Sequence, residues 1–530
     1  MKKMKIKYKF LAFIVVFMTL LIIPTGCNKD FEEYNQNPDS LTNDDLKRDY
    51  RIFEPFKTLI RGIYKHTPPW QTQLQQNLIG DVYSGYMMPP TPFAGNSNNM
   101  TYNLVDGWNT WAFNISYSSV MSSANFIEEN GQEFPEFLAW LKIVKVEGMH
   151  RLADMFGPIM YSQYGKIAED GSIAYDCLPD LYNTFFRELD EGIAGLEAFQ
   201  ATGKPSPFGR FDEVYAGDID KWIKFANTLR LRLAIRVSKV DPALAKTQGE
   251  KSLTHALGLI TMNDENFTVK NDIDHPVNTI NTAWNDIRMG APMESILVGY
   301  EDPRLPKFFE PAEQADVAGQ FKGIRQGIDI SSKDTYIGFS KIAPLGDVQL
   351  MVAAEAQFLV AEAAIRNWNT QGVTAQQAYE NAIQISFDQY GLGDATSYLG
   401  DATKTPNPYV DPNNAANSLD AGDAHLSTMT IKWNEAADFE TKLERIITQK
   451  WIAMFPDGQE AWSEYRRTGY PKLFPVMVNN SGGEIDTEAG IKRIKYISGE
   501  YSLNPKGVKS GIDCLGGPDT GGTPLWWDVD

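Results

Sequence analysis

The chain has 530 residues, 43% of them hydrophobic, with 49 Lys and Arg against 68 Asp and Glu and a formal net charge of −19. That acidity excludes a nucleic-acid-binding body, because phosphate backbones repel it, and the apolar content excludes a disordered chain. Three Cys and five His leave no zinc-type Cys/His cluster, and no cofactor is expected.

The N-terminus is the most informative stretch. Lys2, Lys3, Lys5, Lys7 and Lys9 precede an apolar run from Phe10 to Ile23, broken only by Thr19. Pro24-Thr25-Gly26-Cys27 follows. A basic start, a short apolar core and small residues before a cleavage point make a secretory signal peptide, too short to span a bilayer comfortably. The Cys after a small residue resembles a lipobox, which predicts cleavage after residue 26 and acylation of Cys27. The first 26 residues carry five Lys and no acid, so their loss takes the charge from −19 to −24. Two or more acyl chains anchor a protein stably, whereas one does not. Residues 27–43, acidic and then rich in Asn and Pro, read as a tether. Residues 44–530 are expected to form a single domain.

Along that domain the apolar periodicity is helical over residues 44–64, 108–129, 135–156, 179–199, 219–239, 349–368, 375–390 and 439–455. Gly157-Pro158, Gly391 and Pro456 stand where helices should stop. Strand-like alternation is short, as at 492–496. The class is mainly α. Residues 358–385 read as a helical hairpin of tetratricopeptide type, with small residues on both partners, but no clean tandem repeat follows. Trp111, Trp140, Trp222, Trp451 and Trp462 fall in helices and are expected in the core.

Several motifs carry a family resemblance in order along the chain. They run from Asp30-Phe31-Glu32-Glu33-Tyr34-Asn35 through GMHRLADMFGPIMYSQ (148–163), WIKFANTLRLRLAIRV (222–237), EDPRLPKFF (301–309) and LMVAAEAQFLVAEAA (350–364). QKWIAMFPDGQEAWSEYRRTGYPKL (449–473) and PLWWD (524–528) complete the series. The chain resembles the SusD/RagB family of nutrient-binding outer-membrane lipoproteins. The resemblance implies a SusD-like fold of tetratricopeptide-like hairpins with long loop insertions and a few short strands. It also implies a glycan or peptide ligand, and a SusC-like TonB-dependent outer-membrane transporter as partner, with the body on the outer membrane facing the cell exterior.

Arg230, Arg232, Arg236, Arg466 and Arg467, set among Trp and apolar residues, read as partly buried Arg–carboxylate pairs and Arg packed on Trp rather than as an anion site. Asp302-Pro303-Arg304 reads as a turn that pairs its own charges. For a sugar, whose CH face lies flat on an aromatic ring, two loops are candidates. One is 88–103, flanked by Tyr83, Tyr86, Tyr102 and Trp108. The other is 278–290, with Trp284, Asn285 and Arg288. Cys177 and Cys514 have the option of a disulfide in an oxidising compartment. No Gly-x-Ser-x-Gly, His-Glu-x-x-His or phosphate loop is present. The binding reading is preferred, and a secreted helical glycoside hydrolase, which needs two facing carboxyls, is the alternative. A purely structural surface protein is a third reading.

Overall fold

The computed structural model describes residues 43–270 and 272–529. The expected signal peptide, Cys27 and nearly all of the expected tether lie outside the described residues. The chain divides into two units, Met1–Ile52 and Phe53–Asp530. In the first, Asn43–Arg48 forms a short helix. The second holds the elements from Pro55 onward.

Among the described residues helix accounts for 51% and strand for 4%, so the class is mainly α. The principal helices are α1 (Pro55–Ile63), α2 (Pro69–Thr72), α3 (Asp106–Ile115), α4 (Pro135–Phe156), α5 (Leu178–Gln200) and α6 (Ile219–Arg236). They continue with α7 (Pro242–Leu253), α8 (Ala353–Ile365), α9 (Ala375–Gln389), α10 (Phe439–Met454), α11 (Gly458–Thr468) and α12 (Pro505–Leu515). Local chemistry sets their starts. Pro55, Pro69, Pro135, Pro242 and Pro505 open helices at a position where a missing N–H costs nothing. Asp218, Asp241 and Asp438 accept from the backbone N–H groups of Lys221, Leu244 and Thr441. Thr374 and Gln377 form a reciprocal capping box on α9.

Helices pair as hairpins: α4 with α5, α6 with α7, and α8 with α9. The α4–α5 pair shows why small residues are needed. A Cβ on Gly195 of α5 would lie 2.5 Å from the Ala139 Cβ of α4, so only glycine lets the backbones close to this distance. Two small antiparallel ladders complete the secondary structure. β1 (Met87–Met88) pairs with β3 (Arg288–Met289), and β2 (Phe267–Val269) pairs with β4 (Val348–Met351). The first ladder stitches the two candidate loops together.

Three local expectations are corrected. The helix expected over 44–64 is broken, because Pro55 starts a new one. The helix expected from 349 begins at Ala353, since Val348–Met351 is a strand paired with 267–269. Residues 492–496 are extended but lie in no ladder: Lys492 and Arg493 donate to Gly521 O, and Ile494 to Met155 O.

The core holds Trp140, Trp222, Trp451, Trp462 and Trp527, all essentially inaccessible. Beside them lies an ion-pair network built as the Arg-rich motifs predict. Arg232 donates to Glu355 at 2.8 and 2.6 Å. Arg236 reaches Glu460, Glu464 and Asp154. Arg467 holds Glu362 in a fork of two 2.7 Å bonds and also bonds Glu464. Arg304 likewise pairs with Asp302. Each of these pairs holds because both of its charges are met; removing one partner costs far more than the pair contributes. Cys177, just before α5, is bonded to Cys514 of α12 across 337 residues.

Candidate functional site: an exposed aromatic face

Trp70 sits in the single turn α2 and is 38% exposed. Its ring meets Trp111 edge to face, with centroids 4.6 Å apart. Trp111 lies one turn after Trp108 on α3, so both indoles project from one helix face. Trp108 in turn meets Phe93 edge to face at 5.7 Å. All three are only partly buried. Phe93 is presented by a tight excursion in which Ala94, Gly95 and Asn96 have positive φ of 50°, 63° and 64°. Asn96 secures this excursion by donating to Asp329 and to Ile330 O.

The same loop reaches the second candidate loop. Thr91 Oγ1 donates to Asp286 at 2.6 Å, and Lys333 Nζ donates to both Asp286 and Trp284 O. Trp284 is partly exposed at this junction, and α2 packs against the segment Pro276–Ala283 just before it. A chain of contacts thus joins Trp70, Trp111, Trp108, Phe93 and the Trp284 loop. The three π-helical segments among the described residues all adjoin it: Gln73–Asp81 follows Trp70, Ser116–Met121 follows α3, and Thr279–Ala283 precedes Trp284. Such segments cluster at functional sites. The nearby charges are satisfied internally, Lys333 by Asp286 and Asp329 by Asn96. The face therefore suits a neutral ligand with apolar ring faces and polar edges.

Of the residues expected here from the sequence, Trp108, Trp284 and Asn285 are accessible. Asn285 adopts φ +53° and accepts from Arg288 at 2.9 Å. Arg288 itself is fully buried: its guanidinium ties the loop by donating to the carbonyls of Ile337, Ile287 and Asn281. Burial pushes it down to about 10, with Glu313 and Asp286 opposing. Tyr86 is also a core residue, donating its hydroxyl to Trp451 O and packing 4.9 Å from the Trp451 ring. Burial raises its phenol well above the usual range. Tyr83 and Tyr102, each 8% exposed, join Trp462 and Gln326 around a small pocket of about 50 Å³, with His425 and Glu488 at its wall. These tyrosines follow a π-helix and a 3-10 turn that carry them inward, which residue type alone does not reveal. Trp111, expected in the core, is instead half-exposed because its partner is the surface ring of Trp70. Trp70 and Phe93 do not stand out in the sequence. Their signal is weak: an aromatic after Pro68-Pro69, and one between Pro92 and Ala94-Gly95.

Among the described residues one group brings metal-ligating atoms within 4.8 Å of one another: His150, Asp154 and Glu460, all buried. Arg236 ion-pairs with both carboxylates, so the donors fit the core ion network rather than a cation.

The model of the SusD-like family, described as Susd and RagB outer membrane lipoprotein, matches residues 33–528. Solved structures of similar proteins include a chitin-binding SusD homolog from Flavobacterium johnsoniae. It is 46% identical, has a TM-score of 0.87, and the match covers 91% of this chain and 99% of that one. A SusD homolog from Bacteroides vulgatus is 35% identical with a TM-score of 0.85, covering 92% and 99%. One from Bacteroides uniformis is 36% identical with a TM-score of 0.81, covering 91% and 100%. No curated protein matches. With its helical hairpins, short ladders and exposed aromatic face, the chain belongs to the SusD-like family of outer membrane lipoproteins.

Proposed function

We propose that this protein binds a neutral glycan at the cell surface and passes it to a TonB-dependent transporter barrel, and that the glycan is a β-linked N-acetylglucosamine oligomer. The observation that carries the reading is the run of partly exposed rings, Trp70, Trp111, Trp108 and Phe93, leading to Trp284. An exposed Trp costs solubility unless it is covered in use, and a pyranose ring covers it by its CH face while hydroxyls and acetamides keep water or side-chain partners. Lys333 is already paired with Asp286 and Asp329 already accepts from Asn96, which argues against a cluster of charges waiting for an ionic peptide. The 46% identity to a chitin-binding homolog supports the choice of sugar. Acyl chains on Cys27 would anchor the mature chain, and residues 27–43 would let the body move over a barrel without leaving it, which keeps its effective concentration high.

Calorimetric titration with chitin oligosaccharides, cellulose oligosaccharides and neutral peptides tests the ligand. Chitin oligosaccharides are expected to bind, and binding should fall in Trp108→Ala and Trp284→Ala. Preference for the peptides would overturn the reading, as would release of reducing sugar by the pure protein. For the partner, mild-detergent extraction of the outer membrane should copurify a large barrel, and Cys27→Ser should release the protein from membranes.

A further inference from the structure

The helix that carries Trp108 and Trp111 does not stop at Ile115. It runs on through the π-helical Ser116–Met121 into Ser122–Asn130. Beyond Trp111 its outward positions are Asn114, Ser118 and Ser122, all exposed and four residues apart, hence on one face. Their side chains are short and leave open space above the helix.

Two walls rise on either side of this floor. One comes from the connection between α4 and α5, where Tyr164 stacks on Tyr117 with centroids 5.7 Å apart and planes within 18°. The other is the helix Ser498–Leu503, whose Leu503 is 82% exposed. This second wall begins beside the aromatic face, since Ser498 donates through N and Oγ to Asp106, the first residue of α3, at 2.8 and 2.7 Å. Floor and walls enclose a trough of about 610 Å³. It shares Tyr164 with a second hollow of about 290 Å³, floored farther along the same helix by Asn125 and Glu128.

The walls are fixed to each other. Asn504 accepts from Ile173 N at 3.1 Å and donates to Ile173 O at 2.8 Å. The Cys177–Cys514 bond joins the same two segments. A trough held open in this way loses little freedom when it is filled. Its make-up also selects the occupant. An apolar peptide or helix would want an unbroken apolar floor, whereas here Phe113 and Tyr117 alternate with the exposed amide and hydroxyls of Asn114, Ser118 and Ser122. The charged wall residue Glu500 already accepts from the Tyr175 hydroxyl at 2.6 Å. A chain of neutral rings, polar at the edges and apolar on the faces, fits both.

We propose that this trough is the continuation of the aromatic face, and that the protein binds a long glycan chain running from Trp108 and Trp111 over Asn114 and Ser118 to Tyr164. The inference rests on the glycan reading above and adds to it a preference for length. From Trp111 to Ser122 the helix rises about 15 Å, room for roughly three sugar rings. Tyr164 and Leu503 would cover ring faces, and Asn114 and Ser118 would meet the polar edges.

The test uses the mature protein, chitin trimer and chitin hexamer, and two variants. Ser118→Arg fills the trough, and Tyr164→Ala removes its stacking wall. Wild-type affinity should rise about tenfold or more from trimer to hexamer. Both variants should bind trimer as the wild type does, lose most of the gain, and keep the wild-type melting temperature. A wild-type affinity that does not change with length would overturn the proposal, as would a full gain retained by Ser118→Arg. Failure of every oligomer to bind, at either length, would instead overturn the glycan reading of the aromatic face.

Discussion

Glu147→Gln should stabilise this protein at neutral pH, and the effect should vanish in acid. Glu147 lies on α4 with no exposure, and neither carboxyl oxygen has a hydrogen-bond partner. His150 and Arg151 face it from its own helix and Arg232 from α6, at 3.8 to 3.9 Å, too far to donate. Asp457 and Glu460 act on it from α11. Burial is the largest influence and raises the carboxyl from 4.5 to about 8; Arg232 and Arg151 pull it down, and the two acids push it further up. The folded state therefore keeps a proton that the unfolded state has released. Stability is lost as pH rises from the unfolded value toward the folded one. At about pH 7 the displacement is roughly 2.5 units, or about 3 kcal/mol at 1.36 kcal/mol per unit. A neutral amide of the same shape avoids that cost. For roughly 490 residues at about 2.1 cal/mol/K each, the unfolding entropy is near 1 kcal/mol/K, so the expected gain is about 3 °C. Melting curves of both proteins near pH 5 and near pH 8 measure it. The variant should match the wild type at the acid end and exceed it at the alkaline end. A constant difference across the range, or a less stable variant near pH 8, would refute the assignment.

Arg467→Met leaves Glu362 and Glu464 short of their fork in a fully buried setting, and should cost about 3–5 kcal/mol. Denaturant titration should place its midpoint well below that of the wild type; an unchanged midpoint would mean the network tolerates the loss. Cys177→Ser removes a cross-link spanning 337 residues, and chain entropy assigns such a loop about 5–6 kcal/mol as an upper value. The wild type should melt lower in reductant, while the variant should be indifferent to it. Tyr86→Ala and Trp284→Ala should behave as opposites. Loss of the buried Tyr86 ring should lower the melting temperature, by the 3–5 kcal/mol typical of large buried aromatics. Loss of the surface Trp284 ring should weaken glycan binding with little thermal effect. Equal thermal effects would show that Trp284 also belongs to the core.

The scaffold was largely legible. Helices over 135–156, 219–236, 375–389 and 439–454 follow from apolar spacing and from flanking Pro, Gly and Asp residues, because these signals are local. The buried Arg network was legible too, since Arg beside Trp and Leu on a helix needs a carboxylate partner or, as for Arg466 over Trp462, an aromatic face and backbone acceptors. The site was legible only in part. Trp108 and Trp284 are accessible, as their place in polar loops suggests, but Tyr86 and Arg288 turn inward because β1 and β3 pair and draw their side chains under the surface. Trp111 turns outward because Trp70, about forty residues earlier, waits at the surface to meet it. Such pairings depend on distant segments and leave no trace in local periodicity. Val348–Met351 became a strand for the same reason.

The bridge between Cys177 and Cys514 also bears on the order of events during export. The chain has three cysteines, and the two that pair are separated by 337 residues. While the first of them has already crossed a membrane, its partner is still inside. In that interval the only other thiol on the emerging chain is Cys27. An unmodified Cys27 would be free to capture Cys177 in a wrong bond, and thiol exchange would then be needed to undo it. Acylation of Cys27, as proposed above, would consume that thiol. Lipid attachment would thus do a second job besides anchoring: it would leave Cys514 as the sole remaining partner for Cys177, so that oxidation has one outcome.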